Sequence, residues 1–283
     1  MPVVAFMNMK GGVGKTTLCV NLADILSRSI EGFNRKILVI DIDPQFNATQ
    51  CFMSGKEYIS YKKAKKKTVF NIYGDNYFFP SLVEGQNEEC VRVENLNDII
   101  CIAKKNLHFI PGDLQLIKAE SGRNGQERRL KRFIEKFNLK EQYDYIFIDC
   151  PPTNSLWTLS AIIAADYYVL PVKPDHLSSV GLSLFTSVVG EAIEDYGCDI
   201  KCGGIVYTMV PNNNLAKQVM SSISAAPKYS DKVFSGVMRH TVQIARIQQR
   251  RRFIADLANE HTSDIIRIGR EFVERIEVNA KIE

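Results

Sequence analysis

The chain has 283 residues, 45% of them hydrophobic and 24% charged, with a formal net charge of +4. That is enough apolar material for a full core and too little net charge for composition alone to mark a nucleic-acid binder, so any such surface must come from local clusters of Lys and Arg. No basic-then-apolar leader precedes the first strand-like run and no apolar run approaches the ~20 residues that span a bilayer, which points to a cytoplasmic protein working off the membrane.

Taken in chain order, near-continuous apolar runs at 3–7 (VVAFM), 36–43 (KILVIDID), 107–111 (LHFIP), 144–150 (DYIFIDC), 167–172 (YYVLPV) and 203–208 (GGIVYT) read as strands buried on both faces. Between the first two, Leu18, Leu22, Ile25 and Leu26 recur at helical spacing and predict a helix with one core-facing stripe. Strand and helix alternate to the end. The expected fold class is therefore α/β: a doubly wound, mainly parallel sheet flanked by helices, its ligand crevice at the carboxyl ends of the strands. Residues 1–283 read as one domain. Residues 53–100 are its least regular part, in the manner of an inserted segment, and within them Lys62, Lys63, Lys65, Lys66 and Lys67 are open to two uses, a solvated face or a nucleic-acid contact. From 263 to 283, Ile265, Ile268, Phe272 and Ile276 nearly align, which predicts a helix packed on the sheet; its polar face carries acids as well as bases, unlike a membrane foot. The seven cysteines, at 19, 51, 90, 101, 150, 198 and 202, contain no CxxC pair and no zinc spacing, and read as reduced thiols without chemistry.

The chemistry begins at Lys10-Gly11-Gly12-Val13-Gly14-Lys15-Thr16-Thr17, a variant phosphate loop placed after a strand and before a helix. Its glycines let successive backbone N–H groups point at a polyphosphate, and the following helix adds its positive end. Lys15 then neutralises the β- and γ-phosphates, and Thr16 offers a hydroxyl to the Mg²⁺ that bridges them. Asp149 closes its strand and is stopped there by Pro151 and Pro152, which leaves a carboxylate at the crevice to hold the magnesium through its water shell. Asp41 and Asp43, two apart at a strand end, point the same way, so both carboxylates can face the phosphates. One of the two would help organise the magnesium shell, and the other, nearer the loop, would orient or deprotonate the attacking water. Lys10 is a second lysine in a loop that needs one.

The motifs KGGVGKTT, VIDIDPQFNAT, LHFIPGDLQL, YDYIFIDCPP, YYVLPVKPDHLSSVGLSL and YTMVPNNN resemble, in order and spacing, those of the ParA-type partition ATPases of the ParA/Soj/MinD superfamily, over nearly the whole chain. The resemblance implies a phosphate-loop ATPase of the deviant Walker A class, with ATP and Mg²⁺ as ligands and slow hydrolysis that a partner stimulates. It implies that Lys10 crosses to the partner's nucleotide when two ATP-loaded subunits meet, and that Asp43 is the water-activating aspartate. Thr208, Met209 and Pro211, with Met238 and Arg239, resemble the segments that enclose the adenine. Phe46 stands where the family usually has Gly, making this loop bulkier and less free to adopt φ > 0. Where many members place DNA-holding arginines, Asn212 to Asn214 and Gln243 stand here; Lys217, Arg239, Arg246, Arg250, Arg251 and Arg252 are the candidates to contact DNA phosphates instead. The expected partners are a second copy of the chain, nonspecific double-stranded DNA and a ParB-like centromere-binding protein, and the expected location is the nucleoid. Two alternatives stay open: a MinD-like ATPase working on a membrane surface, and an electron-transfer ATPase resembling nitrogenase iron protein, for which Cys150 would need a twin.

Overall fold

The apolar run at 3–7 forms strand β1 (Val3–Phe6), whose four residues are all inaccessible to solvent because both faces of the sheet are covered. This computed structural model describes residues 1–74, 78–80, 87–89, 92–119 and 125–281, so Cys90, part of the 53–100 segment and the last two residues lie outside the described residues. The remaining strands are β2 (Ile37–Asp41), β3 (Phe78–Pro80), β4 (Asn87–Glu89), β5 (Cys101–Lys104), β6 (Leu107–Ile110), β7 (Tyr145–Asp149), β8 (Tyr167–Val172), β9 (Lys201–Val210) and β10 (Val233–Arg239). The helices are α1 (Lys15–Ser27), α2 (Asn47–Phe52), α3 (Gly55–Lys63), α4 (Phe70–Tyr73), α5 (Leu116–Ala119), α6 (Arg129–Lys136), α7 (Leu139–Gln142), α8 (Leu156–Ala164), α9 (Ser178–Tyr196), α10 (Asn214–Ala225), α11 (Val242–Gln249) and α12 (Glu260–Lys281).

Among the described residues, eight strands form one sheet in the order β10-β9-β8-β1-β7-β2-β6-β5, parallel except for the antiparallel edge pair β5–β6. Successive residues of each central strand face opposite layers. Val3, Ala5, Leu38, Ile40, Ile146 and Ile148 pack with Phe133 of α6, Trp157 of α8 and Phe185 of α9. Val4, Phe6, Ile37, Val39, Tyr145 and Phe147 pack on the other side with Leu18, Leu22, Ile25 and Leu26 of α1 and with Ile265, Ile268, Phe272 and Ile276 of α12. The fold is a doubly wound phosphate-loop architecture, and strand order reverses around β1, the point at which such sheets open a ligand crevice.

Two sheet strands escape the sequence pattern. β10 alternates, with Phe234, Gly236 and Met238 inward and Ser235 exposed, because it is an edge strand. β5 is the other edge, and Ile102 on it is 73% exposed. Within the irregular segment, α3 starts at a capping box in which Ser54 accepts from the Glu57 backbone N–H and Glu57 accepts from that of Ser54. The lysine run straddles its end, and much of it is tied into the protein: Lys62 pairs with Asp113 at 3.0 Å, Lys66 donates to the Asn97 carbonyl at 3.0 Å and Lys67 to that of Arg92.

Candidate active site

β1 delivers the chain into a loop that can turn onto α1 only through left-handed backbone: Gly12 has φ 69° and Gly14 φ 83°. Gly14 is the residue before α1 and carries no side-chain cap, so the first N–H groups of that helix stay available to an anion. Gly14 is also pressed from outside, since a Cβ on it would meet Met238 Cε at 3.4 Å, Met209 Cγ at 3.5 Å and Thr208 Cβ at 3.5 Å. The Thr208 hydroxyl, fully buried, donates to the Val13 carbonyl and fixes the loop against β9. The loop forms one wall of a crevice of about 960 Å³ lined by Gly11, Gly12, Gly14 and Lys15 to Thr17, by Asp43, Gln45 to Asn47, Gln50, Cys51 and Ser54, and by Pro152, Met209, Ala245, Gln248, Gln249 and Arg251.

Lys15 is 6% exposed and its ammonium rests on the Lys10 carbonyl at 3.2 Å. Burial pulls its pKa down, opposed by the charges of Asp149, Cys150 and Asp43. The Thr16 hydroxyl donates to Asp149 Oδ2 at 2.7 Å. Asp149 is 0% exposed, and its Oδ1 has no hydrogen-bond partner. Parallel pairing sets Asp41 of β2 directly beside Asp149 of β7. Burial, and then the neighbouring Asp41 charge, push the Asp149 carboxyl well above the usual range, while the Thr16 hydrogen bond opposes this. A hydroxyl, an orphaned carboxylate oxygen and a second buried acid fit a hard divalent cation with oxygen ligands, so Thr16 and Asp149 are the residues that would hold Mg²⁺.

Asp41 and Asp43 do not share one outlook. Asp43 lines the crevice, its Oδ1 accepting from the Gln45 N–H at 2.8 Å, with a carboxyl raised by burial and lowered by that bond and by Lys15. Asp41, the last residue of β2, is buried and bonded to α2 instead. Its Oδ2 accepts from both the N–H and the hydroxyl of Thr49 at 2.7 Å, and burial lifts its pKa to about 7. It therefore ties β2 to α2, and reaches the cation shell only as the neighbour of Asp149.

Phe46, expected to resist positive φ, adopts φ 41°, ψ 41°. Its ring stacks on Tyr58 of α3 at 5.2 Å and 17°, and that contact offsets a cost of about 1–2 kcal/mol for left-handed backbone in a non-glycine residue. Tyr58 in turn donates to the Gly112 carbonyl, and the Gly112 N–H donates to Thr49. Gly112 is where the chain passes closest: a Cβ there would lie 2.7 Å from Phe46 Cβ and 3.0 Å from Asp41 Cγ. Thr49, Tyr58 and Gly112 carry no motif chemistry of their own; the sequence signals Thr49 and Gly112 only through membership of the DPQFNAT and LHFIPGD segments, and Tyr58 not at all.

A family model described as an AAA domain matches residues 1–202. The sporulation initiation inhibitor protein Soj of Bacillus subtilis is 32% identical over 248 residues, covering 86% of this chain and 86% of that protein. The chain belongs to the ParA/Soj family of ATPases. The chromosome partitioning protein ParA of Myxococcus xanthus is 28% identical over 278 residues, covering 96% of this chain and 88% of that protein. The structure of a single-residue variant of Cyanothece McdA in complex with ATP superposes with a TM-score of 0.76 at 19% identity, over 98% of this chain and 96% of that one. Against the remaining expectations drawn from the ParA resemblance, Met209 lines the crevice, Thr208 and Met238 pack behind Gly14, and Pro211 follows β9 at the rim. Arg239 points elsewhere, to Glu260 at 2.9 Å and Asp264 at 3.3 Å on α12. Of the basic residues assigned to DNA, Lys217, Arg246, Arg250 and Arg252 are exposed on α10, on α11 and just beyond it, while Arg251, also exposed and at φ 54°, lines the nucleotide crevice. No helix among the described residues is long and apolar enough to cross a membrane. Cys150 is buried with its thiol pushed far up by burial, so it faces no surface at which a cluster could be shared.

Proposed function

We propose that this chain is a partition ATPase that dimerises when loaded with ATP and Mg²⁺, holds nonspecific double-stranded DNA as that dimer, and is released by a ParB-like centromere-binding partner that stimulates slow hydrolysis. The observation that carries the reading is Lys10: Lys15 already lies inside the loop to meet the phosphates, whereas Lys10 stands at its rim with its side chain 34% exposed, a charge with no task at the phosphates of its own subunit. The name of the Myxococcus relative, a chromosome partitioning protein, supports a role in segregating DNA.

In this mechanism the loop N–H groups from Gly11 to Thr17 and the Lys15 ammonium hold the β- and γ-phosphates. Thr16 and Asp149 are the residues that would hold Mg²⁺, which when bound would supply charge neutralisation at those phosphates. Asp43, in the crevice beside Lys15, orients the attacking water and takes its proton; burial raises its carboxyl above the usual range, which makes it a better proton acceptor than an exposed aspartate. Met209, Met238, Thr208 and Pro211 bound the base end. Arg246, Arg250 and Arg252, with Lys217, supply the DNA face, which places the protein on the nucleoid in the cytoplasm. The membrane-surface alternative draws no support from α12, whose Ile265, Ile268, Phe272 and Ile276 are buried against the sheet.

Sedimentation velocity with ATP and Mg²⁺ tests the reading, alongside pelleting with arbitrary duplex DNA and with anionic liposomes. Wild type should dimerise with ATP and pellet with DNA, and Lys10→Ala should bind ATP as well as wild type yet stay monomeric. Equal loss of nucleotide affinity in Lys10→Ala and Lys15→Ala would remove the trans role, and liposome binding without DNA binding would favour the membrane alternative.

A further inference from the structure

Lys10 is occupied. Its ammonium forms an ion pair with Asp175, 165 residues away, in the turn between β8 and α9. The acceptor is firmly placed: Asp175 Oδ1 accepts from the Leu177 N–H at 3.1 Å and from the Ser178 hydroxyl at 3.1 Å, and that hydroxyl accepts from the Asp175 N–H at 3.0 Å. Burial alone would raise the Asp175 carboxyl, yet the Lys10 ammonium and these donors hold it below the usual carboxylate range. The side chains of Lys10 and Asp175 are 34% and 23% exposed, so the pair lies at the rim of the crevice, within reach of anything that covers it.

We propose that Asp175 is a positioning residue that holds Lys10 within its own subunit and thereby sets how much nucleotide-loaded protein is needed before two copies associate. The inference rests on the dimerising reading above. A Lys10 side chain extended toward the facing subunit is drawn away from the Asp175 carboxylate of its own, so on this reading association breaks one Lys10–Asp175 pair in each copy. A partly exposed pair of this kind favours its paired state about 1.5- to 5-fold. Breaking two multiplies the effect, so the pairs together weaken the dimer by about 2- to 25-fold. The surface next to Asp175 suits a second copy: Leu177, Val180 and Leu184 follow at helical spacing along α9 and are 59%, 57% and 60% exposed. The ion pair and this aliphatic stripe share one turn, so freeing Lys10 and seating the partner act on the same element.

The test compares wild type, Asp175→Asn, Asp175→Glu and Lys10→Ala by sedimentation with Mg²⁺ and AMPPNP, which removes hydrolysis from the measurement, and measures AMPPNP affinity at protein concentrations where every form is monomeric. Asn keeps an oxygen for the Leu177 N–H and loses only the charge. Asp175→Asn should dimerise about 2- to 25-fold more tightly with unchanged monomer affinity for AMPPNP, Asp175→Glu should return toward wild type, and Asp175→Asn should have no effect when combined with Lys10→Ala. Wild-type-like or weaker association of Asp175→Asn, in a wild type that does dimerise, overturns the proposal alone. So does a gain that survives in the Lys10→Ala background, because Asp175 would then act through the α9 turn. A wild type that remains monomeric with AMPPNP at every concentration overturns the dimerising reading itself, and this inference with it.

Discussion

Gly112 offers the sharpest test of how the loop around Asp43 is held. Adding one methyl group, in Gly112→Ala, places a Cβ 2.7 Å from Phe46 Cβ and 3.0 Å from both Asp41 Cγ and Oδ2. Contacts that short force backbone or buried carboxylate to move, and overpacking of this kind costs about 1–3 kcal/mol. In a chain of this size each kcal/mol lowers the melting temperature by about 2–4 °C, so a loss of about 2–12 °C follows. The displaced atoms belong to Phe46, whose N–H bonds the Asp43 carbonyl, and to Asp41, which anchors α2 through Thr49. The phosphate loop is untouched. ATP affinity should therefore hold while hydrolysis falls on the order of tenfold, a modest share of the ~100-fold that a 1 Å misplacement of reacting groups costs. The decisive assay is a double-mutant cycle with Phe46→Gly, which removes the nearer clash and relieves the φ of 41°. Melting and steady-state hydrolysis are measured for all four proteins. Phe46→Gly should recover at least half of the Gly112→Ala loss, falling short of all of it because the Asp41 contact remains. If the two changes are additive within about 0.5 kcal/mol, the two residues do not press on each other and the account of the loop is wrong.

Lys15→Ala should abolish measurable ATP binding by titration calorimetry, since the buried counter-ion of the γ-phosphate is gone; affinity within tenfold of wild type would contradict its cis role. Asp43→Ala should bind ATP through Thr16, Asp149 and the loop but hydrolyse it at least 100-fold more slowly, so that dimers accumulate on sizing columns with ATP. For pH, Asp41 titrates at about 7 and Asp149 also above its usual range, both raised by burial. An acid whose folded pKa exceeds its unfolded value disfavours folding once ionised, so Asp41 withdraws stability as pH rises from about 4 through 7, and Asp149 acts in the same direction. The melting temperature of Asp41→Asn relative to wild type, without nucleotide or Mg²⁺, should accordingly rise with pH across that window, and a flat difference would contradict the burial argument. Changing Arg246, Arg250 and Arg252 together to Ala, with Arg251 of the nucleotide crevice left in place, should lower ATP-dependent DNA retention and flatten its salt dependence, with replacement of the lysines at 62 to 67 by Gln as the control; the reverse outcome would move the DNA face to α3.

Much of this molecule can be read from its sequence, for reasons that differ between parts. β1, β2, β6, β7, β8 and β9 stand out as apolar runs because helices cover both of their faces. β5 and β10 do not, since an edge strand buries less and its pattern thins to alternation or to a few residues. Helix α3 had a readable start in Ser54 and Glu57, obscured by the lysines that follow. The phosphate loop is legible because its chemistry is local. The inward turn of Asp41 toward Thr49, the pairing of Lys10 with Asp175 and the diversion of Arg239 to Glu260 are not, because each depends on which distant or freely turning side chain the fold brings alongside. Spacing on an ideal strand put Asp41 and Asp43 on one side; Asp41 instead accepts two hydrogen bonds from Thr49, while Asp43 lines the crevice.

The central position of β1 has a consequence for how the chain is made. Val3 pairs with Ile146 on one side and Val4 with Tyr167 on the other, so once β1 leaves the ribosome it has no neighbour until about 140 further residues have been synthesised. At about 5–20 residues per second, that interval is on the order of ten seconds. Throughout it, VVAF is an unpaired apolar segment with both strand edges open, the kind of stretch that pairs with the wrong chain at high local concentration. Helix α1 and β2 emerge meanwhile, and the packing of Leu18, Leu22 and Ile25 against Val4 and Phe6 is the first cover available to it. Substitutions on that face of α1 should therefore reduce the yield of soluble protein more than they reduce the stability of the molecules that do fold.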